Sequence, residues 1–400
     1  MKIAVLGMGT VGTGVVNVLN TNRNKIESLL GEDVTITHVL AKNTDKARDI
    51  DLSGIYLTDD VEDIYNADID AVIEVMGGID DTYEIILQFL KNRIHVVTAN
   101  KDLLAERIDD LVAVANENEV HLNYEASVAG GVPIIKTIEN SLNANQISEV
   151  MGILNGTTNY ILTKMTVDGW TYDDALEDAK AKGYAEADPT NDVEGIDALR
   201  KIVLLSRLSF NKKVDINDVP SLGISKVESE DIQIAKKLGY IMKLVGIGKF
   251  TDSLSASVEP IFFKADHQLA SVNYEKNAVY VIGNAVGETM YYGPGAGSLE
   301  TASAVVSDLI DVLKTPVNGN FAPEEDAVIQ NEDVEYQYYL RFNNDEGDVK
   351  SVLNESGIGH ELNNQDNNIV AITEKVNKNQ LDEALGGLEV AAKYPVIGDE

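Results

Sequence analysis

The sequence predicts an α/β protein: a doubly wound parallel sheet over the N-terminal third, an α+β unit after it, and a small α+β tail. Three observations lead there. Short apolar runs alternate with amphipathic stretches through the first 130 residues, the rhythm of successive strand–helix–strand units. Beyond that point the rhythm lengthens into helical patterns with isolated strand candidates. From Glu335 short strands and helices resume. The chain has 400 residues, more than one hydrophobic core usually holds. The expected division is 1–130, then 131–320 with 293–320 returning to the first unit, then 335–400.

Taken in order, Lys2–Leu6, Thr35–Leu40, Ala71–Val75, Ile94–Thr98 and His121–Tyr124 read as strands. Val11–Leu19, Tyr83–Leu90 and Leu103–Asn116 carry the helical period between them. In the second unit the helical stretches are Gly131–Leu142, Asp173–Lys182 and Asp192–Leu208, with strands around Val150–Leu154 and Ala256–Phe263. In the tail, Glu335–Phe342 alternates as a strand and Asn343–Gly347 is a turn before a short helix. Asn368–Thr373 is a further strand, Leu381–Leu388 a helix, and Asn363–Asn368 a surface turn.

Composition removes several chemistries. There is no cysteine, which excludes disulfides, thiolate nucleophiles and cysteine-held metals. Sixty-six acidic against 32 basic residues give a net charge of -34, a surface that repels nucleic acid and anionic lipid. Any anion site must therefore be built locally from backbone amides and a few placed cations. No apolar run approaches the roughly 20 residues of a membrane span. The apolar opening Met1–Gly7 is interrupted too early by glycine to serve as a secretory leader, so a cytoplasmic protein is expected. The five histidines show no metal spacing, and there is no Gly-x-Ser-x-Gly nucleophile turn.

Gly7-Met8-Gly9-Thr10-Val11-Gly12 follows the first strand and opens the first helix. Gly7 makes the tight turn, Gly9 lets backbone amides approach a pyrophosphate, and Gly12 allows close packing of helix on strand. The helix N-terminus adds partial positive charge. This is the Rossmann dinucleotide-binding arrangement, and it predicts a nicotinamide cofactor.

An NAD-specific site wants an acid at the tip of the second strand, roughly 20 residues on. Here the strand ends Val39-Leu40-Ala41-Lys42-Asn43. Lys42 is either a partner for a 2′-phosphate, which favours NADP, or an ordinary loop lysine. The strand ends at Glu74–Gly78 and Thr98–Lys101 should border the cofactor too. Gly293–Gly297 ahead of Thr301 is either a glycine loop entering a helix or a connecting turn.

Asp197 and Lys201 lie at i and i+4 on one face of a helix whose second half is apolar. A charged pair on a buried helix is a structural ion pair or a working site, because bare burial of either charge is prohibitive. Asp192 is placed as the N-cap. Without a thiol, oxidation through a thioester is closed. Direct hydride transfer between alcohol and carbonyl remains.

Three blocks now bear on one another: Thr98-Ala99-Asn100-Lys101, Asn155-Gly156-Thr157-Thr158-Asn159-Tyr160-Ile161-Leu162, and Gly183 through Lys201. In that order they closely resemble the homoserine dehydrogenase family, over residues 1 to about 320. The resemblance implies reversible reduction of L-aspartate 4-semialdehyde to L-homoserine with NADPH or NADH, NADP slightly favoured. It implies Lys101, Lys201 and Asp197 as catalytic residues, with Gly156, Thr157, Tyr184, Glu186 and Asp192 binding substrate. The cofactor positions it implies are Gly7, Gly9, Thr10, Val11, Gly12, Lys42, Gly77, Thr98, Lys101, Gly297 and Thr301. A sodium- or potassium-type cation site is implied at Glu125 with the carbonyls of Val128, Gly130 and Val132.

The tail resembles a regulatory ACT domain, with Asn344–Gly347 at an Asp-x-x-Gly turn. It departs from that pattern in its shortness and in lacking a Pro-Gly-Val-Leu segment. Pairing through the second unit implies a homodimer or homotetramer. Two other readings compete: a Rossmann reductase for another small carbonyl or imine, which makes the three blocks coincidental, and a catalytically silent cofactor sensor. A sensor should have lost a lysine or a fingerprint glycine, and this chain retains them.

Overall fold

The computed structural model describes residues 1–48, 50–365 and 368–398. The opening segment alternates as expected: β1 (Lys2–Leu6), α1 (Thr10–Thr21), α2 (Arg23–Leu30), β2 (Thr35–Leu40), β3 (Tyr56–Thr58), α3 (Glu62–Tyr65), β4 (Ala71–Glu74), α4 (Asp80–Lys91), β5 (His95–Thr98), α5 (Lys101–Glu117) and β6 (Leu122–Asn123). Among the described residues its six strands are parallel in the order β3-β2-β1-β4-β5-β6. Strand order reverses between β1 and β4, so a crevice opens at their carboxyl ends. The central strands β1, β4 and β5 are almost wholly buried, which explains their continuous apolar runs. Helix α2 and the short β3 and α3 were not legible in the sequence.

The second unit contains β7 (Ile147–Ile153), α6 (Gly156–Asp168), α7 (Tyr172–Ala181), α8 (Thr190–Val193), α9 (Ile196–Phe210), α10 (Ser229–Lys237), β8 (Tyr240–Phe250), β9 (Leu254–Lys264), β10 (Lys276–Gly283), β11 (Gly287–Pro294) and α11 (Ser298–Lys314). The two strand candidates thus belong to one antiparallel sheet, β11-β10-β7-β8-β9. Helix α11 returns to the first sheet, where Ala302, Val305 and Leu309 pack with Ile3, Val5 and Ile73. It lies so close to α1 that a Cβ on Gly14 would fall 2.2 Å from the Ser298 carbonyl oxygen.

Two helix expectations are corrected. The stretch Gly131–Leu142 becomes helical only at residue 135 and winds as a π-type turn over Thr137–Ser141. Gly130 sits at φ +53° and Pro133 follows, while the Glu125 carboxylate caps the free amides of Ile134, Ile135 and Lys136. The stretch Asp192–Leu208 is broken by Gly195 at φ +78°, so α9 begins at Ile196 and Asp192 is not its cap.

The tail comprises β12 (Glu335–Phe342), α12 (Glu346–Glu355), β13 (His360–Gln365), β14 (Asn368–Thr373), the two-residue β15 (Val376–Asn377), α13 (Lys378–Ala384) and β16 (Val390–Ile397). The stretch expected as a turn, Asn363–Asn368, carries the strands β13 and β14 into itself; residues 366 and 367 lie outside the described residues. Helix α13 ends before Leu388, passing into a tight 3-10 turn at Leu385–Gly387.

Strands β16-β12-β14-β13 are antiparallel neighbours, with α12 and α13 covering one face through Val349, Leu353 and Leu381. The sheet of this unit joins that of the second unit at one edge. β16 pairs in parallel with β9, Val396 opposite Phe262 and Ile397 opposite Phe263, so both sheets are one. Arg341 on β12 completes the junction, bonding Asp231 and Glu228 at the start of α10. No helix among the described residues is long and apolar enough to cross a membrane.

Candidate active site

The crevice at β1 is shaped by three glycines. Gly7 turns the chain at φ +107°, and a Cβ there would strike the Val75 carbonyl oxygen at 2.7 Å. A Cβ on Gly12 would fall 2.1 Å from the Gly7 carbonyl, so α1 leaves the turn in direct contact with it. At Gly9 a Cβ would meet nothing within 4 Å. Gly9 and Thr10 are exposed at the N-terminus of α1, an open approach to backbone amides that fits a dinucleotide's phosphates.

The neighbouring strand ends are tied by Glu74, which is fully buried. Its carboxylate accepts from the Thr98 hydroxyl (2.6 Å) and from the amides of Met76 (2.6 Å) and Gly77 (3.3 Å). Burial raises its pKa, against the pull of those donors. Thr98, expected beside the cofactor, therefore uses its side chain to brace these loops. Asn100 then caps α5 through Leu103 N and donates to Gly78 O at 2.7 Å. That bracing fixes Lys101 at the first position of α5, with Gly77 exposed opposite.

From the other side, β7 is followed by Leu154 and Asn155, and Asn155 caps α6 at Thr158 N (2.9 Å). Its amide donates to Asp192 Oδ1 (2.7 Å) and Asp197 Oδ2 (2.9 Å). Thr157 Oγ donates to Tyr184 O (2.6 Å) and to Asp192 Oδ2 (3.1 Å). Asp192 thus holds the Asn155–Thr157 turn, a role set by the break at Gly195.

The centre is Asp197, buried between two lysines. Lys101 Nζ lies 2.5 Å from Oδ1 and Lys201 Nζ 2.6 Å from Oδ2. Lys201 also donates to Leu154 O at 2.6 Å. Burial works against the Asp197 charge, but the two ammonium groups and Asn155 outweigh it and hold the carboxyl far below the usual range. For Lys201 burial prevails over the attraction of Asp197, and its pKa is lowered. For Lys101, half open to solvent, burial opposes the charge and Asp197 prevails, so its pKa is raised. Two lysines whose pKa values are pushed in opposite directions thus flank a single buried anion.

These groups line a cleft of about 660 Å³ between the two sheets. On its walls the structure brings together Val11, Lys101, Gly130, Gly156, Thr157, Tyr184, Glu186, Asp192, Asp197, Lys201, Gly297 and Thr301. Among the cleft residues not anticipated as site residues, three carry polar side chains beside the substrate turn: Asn155, Glu275 and Asn277. An Asn directly before a helix is a cap signal, which the sequence did carry. The other two enter through long-range pairing of β10. Lys42 stands apart, exposed beyond β2.

The cation expectation fares differently. The Glu125 carboxylate, read as a ligand, is buried and taken by the amides of Ile134 (2.6 Å), Ile135 (2.9 Å) and Lys136 (2.8 Å). A carboxylate committed to three amide donors does not fit the part of an open ligand. Val128 and Val132 are buried on either side of Gly130. Among the described residues no group of three or more His, Cys, Asp or Glu could hold a metal.

Comparison with known proteins agrees with this geometry. A sequence model described as the NAD binding domain of homoserine dehydrogenase matches residues 7–125, and one described as homoserine dehydrogenase matches residues 133–310. The homoserine dehydrogenase of Bacillus subtilis is 45% identical over 374 residues, covering 90% of this chain and 86% of that protein. The crystal structure of a homoserine dehydrogenase from Thiobacillus denitrificans superposes with a TM-score of 0.93 at 36% identity, covering 100% of this chain and 98% of that one. A hyperthermophilic archaeal homoserine dehydrogenase in complex with NADPH has a TM-score of 0.66 at 28% identity, covering 78% of this chain and 98% of that one. A parallel sheet with its glycine turn, a Lys–Asp–Lys cluster joining helix α5 of the first unit to helix α9 of the second, and matches along nearly the whole chain lead to one conclusion: the chain belongs to the homoserine dehydrogenase family.

Proposed function

We propose that this chain catalyses the reversible, NAD(P)-dependent interconversion of L-homoserine and L-aspartate 4-semialdehyde. The observation that carries the reading is Asp197 held between Lys101 and Lys201 at the meeting point of the two sheets. A bound nicotinamide dinucleotide supplies or accepts the hydride. The backbone of Gly7 through Gly12 would hold its phosphates, and Gly77, Thr98, Lys101, Gly297 and Thr301 would contribute to holding the rest of it. Lys42 is the residue that would favour a 2′-phosphate, so NADP is the proposed preference.

As the aldehyde is reduced, negative charge develops on its oxygen. A lysine ammonium stabilises that charge and delivers the proton. Lys201, whose proton is the more loosely held, suits the donor role, and Lys101 that of the fixed cation. Asp197 keeps both oriented. Glu186 and Asp197 receive the substrate's ammonium and hydroxyl, Tyr184 and Asp192 are further contacts, and the Gly156–Thr157 turn receives its carboxylate. None of these steps needs a metal. A monovalent cation, if bound, would use the carbonyls of Val128, Gly130 and Val132. The tail is proposed as an ACT-like regulatory unit on the strength of its strand order, and the assembly as a homodimer or homotetramer.

The test is cofactor reduction followed spectrophotometrically, with L-homoserine and either NADP or NAD, with and without threonine. Homoserine-dependent reduction is expected, faster with NADP. No reduction in a folded sample that binds NADPH would remove the assignment. An unchanged rate with threonine would remove the regulatory reading of the tail.

A further inference from the structure

Asn277 is the second residue of β10, paired with Gly293 of β11, and its side chain is 1% exposed. Among the described residues neither its Nδ2 nor its Oδ1 has a hydrogen-bond partner. A buried amide with both ends unmade is costly, and an apolar residue of similar shape would remove the cost. The residue nevertheless borders the cleft that also carries Lys101, Gly156, Asp197 and Thr301, with its amide just beneath the surface. It lies flat beneath the Gly293–Gly297 turn: a Cβ on Gly295 would fall 2.1 Å from Asn277 Cγ. That turn is itself pressed on the loop at Gly130, where a Cβ would fall 2.3 Å from Gly295 O.

We propose that Asn277 recognises the primary carboxamide of the bound nicotinamide ring. Given the cofactor reading above, hydrogen-bond complementarity selects this partner. A substrate ammonium only donates, so it would leave Nδ2 unpaired. A carboxylate only accepts, so it would leave Oδ1 unpaired. A carboxamide gives one acceptor and one donor and satisfies both ends of Asn277 at once. Both amide atoms are covered by protein, so engagement takes a side-chain rotation or a small shift of the glycine-rich turn above it. The tight fit at Gly295 and Gly130 makes that turn the element that would register the cofactor's arrival.

The test uses isothermal titration of the intact protein with NADPH and with its reduced 3-acetylpyridine analogue. The analogue keeps the ring carbonyl and lacks the amide N–H. The wild-type protein should bind NADPH about tenfold more tightly than the analogue, the worth of one good buried hydrogen bond. Asn277→Leu should weaken NADPH binding by about tenfold and erase the discrimination. Its ligand-free melting temperature should equal or exceed that of the wild type, because an unpaired amide has gone. Asn277→Ala serves the same comparison should the leucine variant fold poorly. A folded variant that keeps both its NADPH affinity and its preference over the analogue overturns the proposal, and points to an interior water as the amide's partner. Failure of the wild-type protein to bind NADPH at all would instead sink the cofactor reading.

Discussion

Two regions of the second unit each bury a lysine, and they treat it differently. Lys201 on α9 is 7% exposed and Lys243 on the adjacent β8 is 1% exposed. Lys201 meets the Asp197 carboxylate and one carbonyl. Lys243 meets three neutral oxygens, those of Val272 (2.5 Å), Asn159 (3.1 Å) and Asn273 (3.3 Å). Among the described residues no carboxylate pairs with it, and burial alone pushes its pKa down to about 7. Depth of burial alone therefore does not tell the two lysines apart. The Lys201 region couples its ammonium to an anion shared with a second cation at a cleft wall. The Lys243 region uses its ammonium as a cross-link, tying α6 to the loop before β10, whose Glu275 carbonyl abuts Gly156.

The largest expected effect breaks the first region. Lys201→Ala or Asp197→Leu should lower turnover by roughly 10²–10⁴, the usual worth of an acid–base group. Steady-state rates with homoserine check this, and a normal rate in either folded variant removes that residue from the mechanism.

Next comes the second region. Lys243→Met leaves three buried oxygens without their donor and should cost about 1–3 kcal/mol of stability, while turnover of the folded protein changes little. Chemical denaturation beside the same assay separates the two. A collapse of turnover at unchanged stability would make Lys243 a second working lysine and end the distinction.

The contrast also predicts a pH response. An unfolded Lys243 keeps its proton up to its ordinary value of 10.5, whereas the folded one releases it near 7. Between those limits the unfolded chain binds more protons, so this residue makes stability rise with pH from about 7 to about 10.5. The difference in melting temperature between the wild type and Lys243→Met should widen across that window. A constant difference would mean that Lys243 stays charged in the fold.

The smallest effect belongs to Lys42, an exposed lysine. Lys42→Ala should shift the NADPH-over-NADH preference by about fivefold at most, the range of an exposed ion pair. No shift leaves it an ordinary loop residue.

Much of this was legible beforehand for a local reason. In the first sheet each strand, its turn and its helix are consecutive in the chain, so Lys2–Leu6 and the glycines at 7, 9 and 12 announce themselves within a dozen residues. The pair Asp197 and Lys201 was equally readable, because i and i+4 fix a shared helical face. The break at Gly195 was not. It depends on a left-handed backbone that packs against Ser221, a residue distant in sequence. Nor could Glu125 be told from a cation ligand, since its three amide partners stand nine to eleven residues away on a helix that starts late.

The order of the chain was enough to specify a parallel sheet with a dinucleotide turn, the presence of an acid and two lysines, and a tail of alternating short elements. These rest on period, turn chemistry and charge, which neighbouring residues settle among themselves. That Asp197 serves both lysines, that Asn277 is stranded beneath Gly295, and that the tail's last strand extends the sheet of the second unit were settled by folding. Each joins segments tens to hundreds of residues apart, and such contacts are chosen by the packing of whole sheets rather than by any local preference.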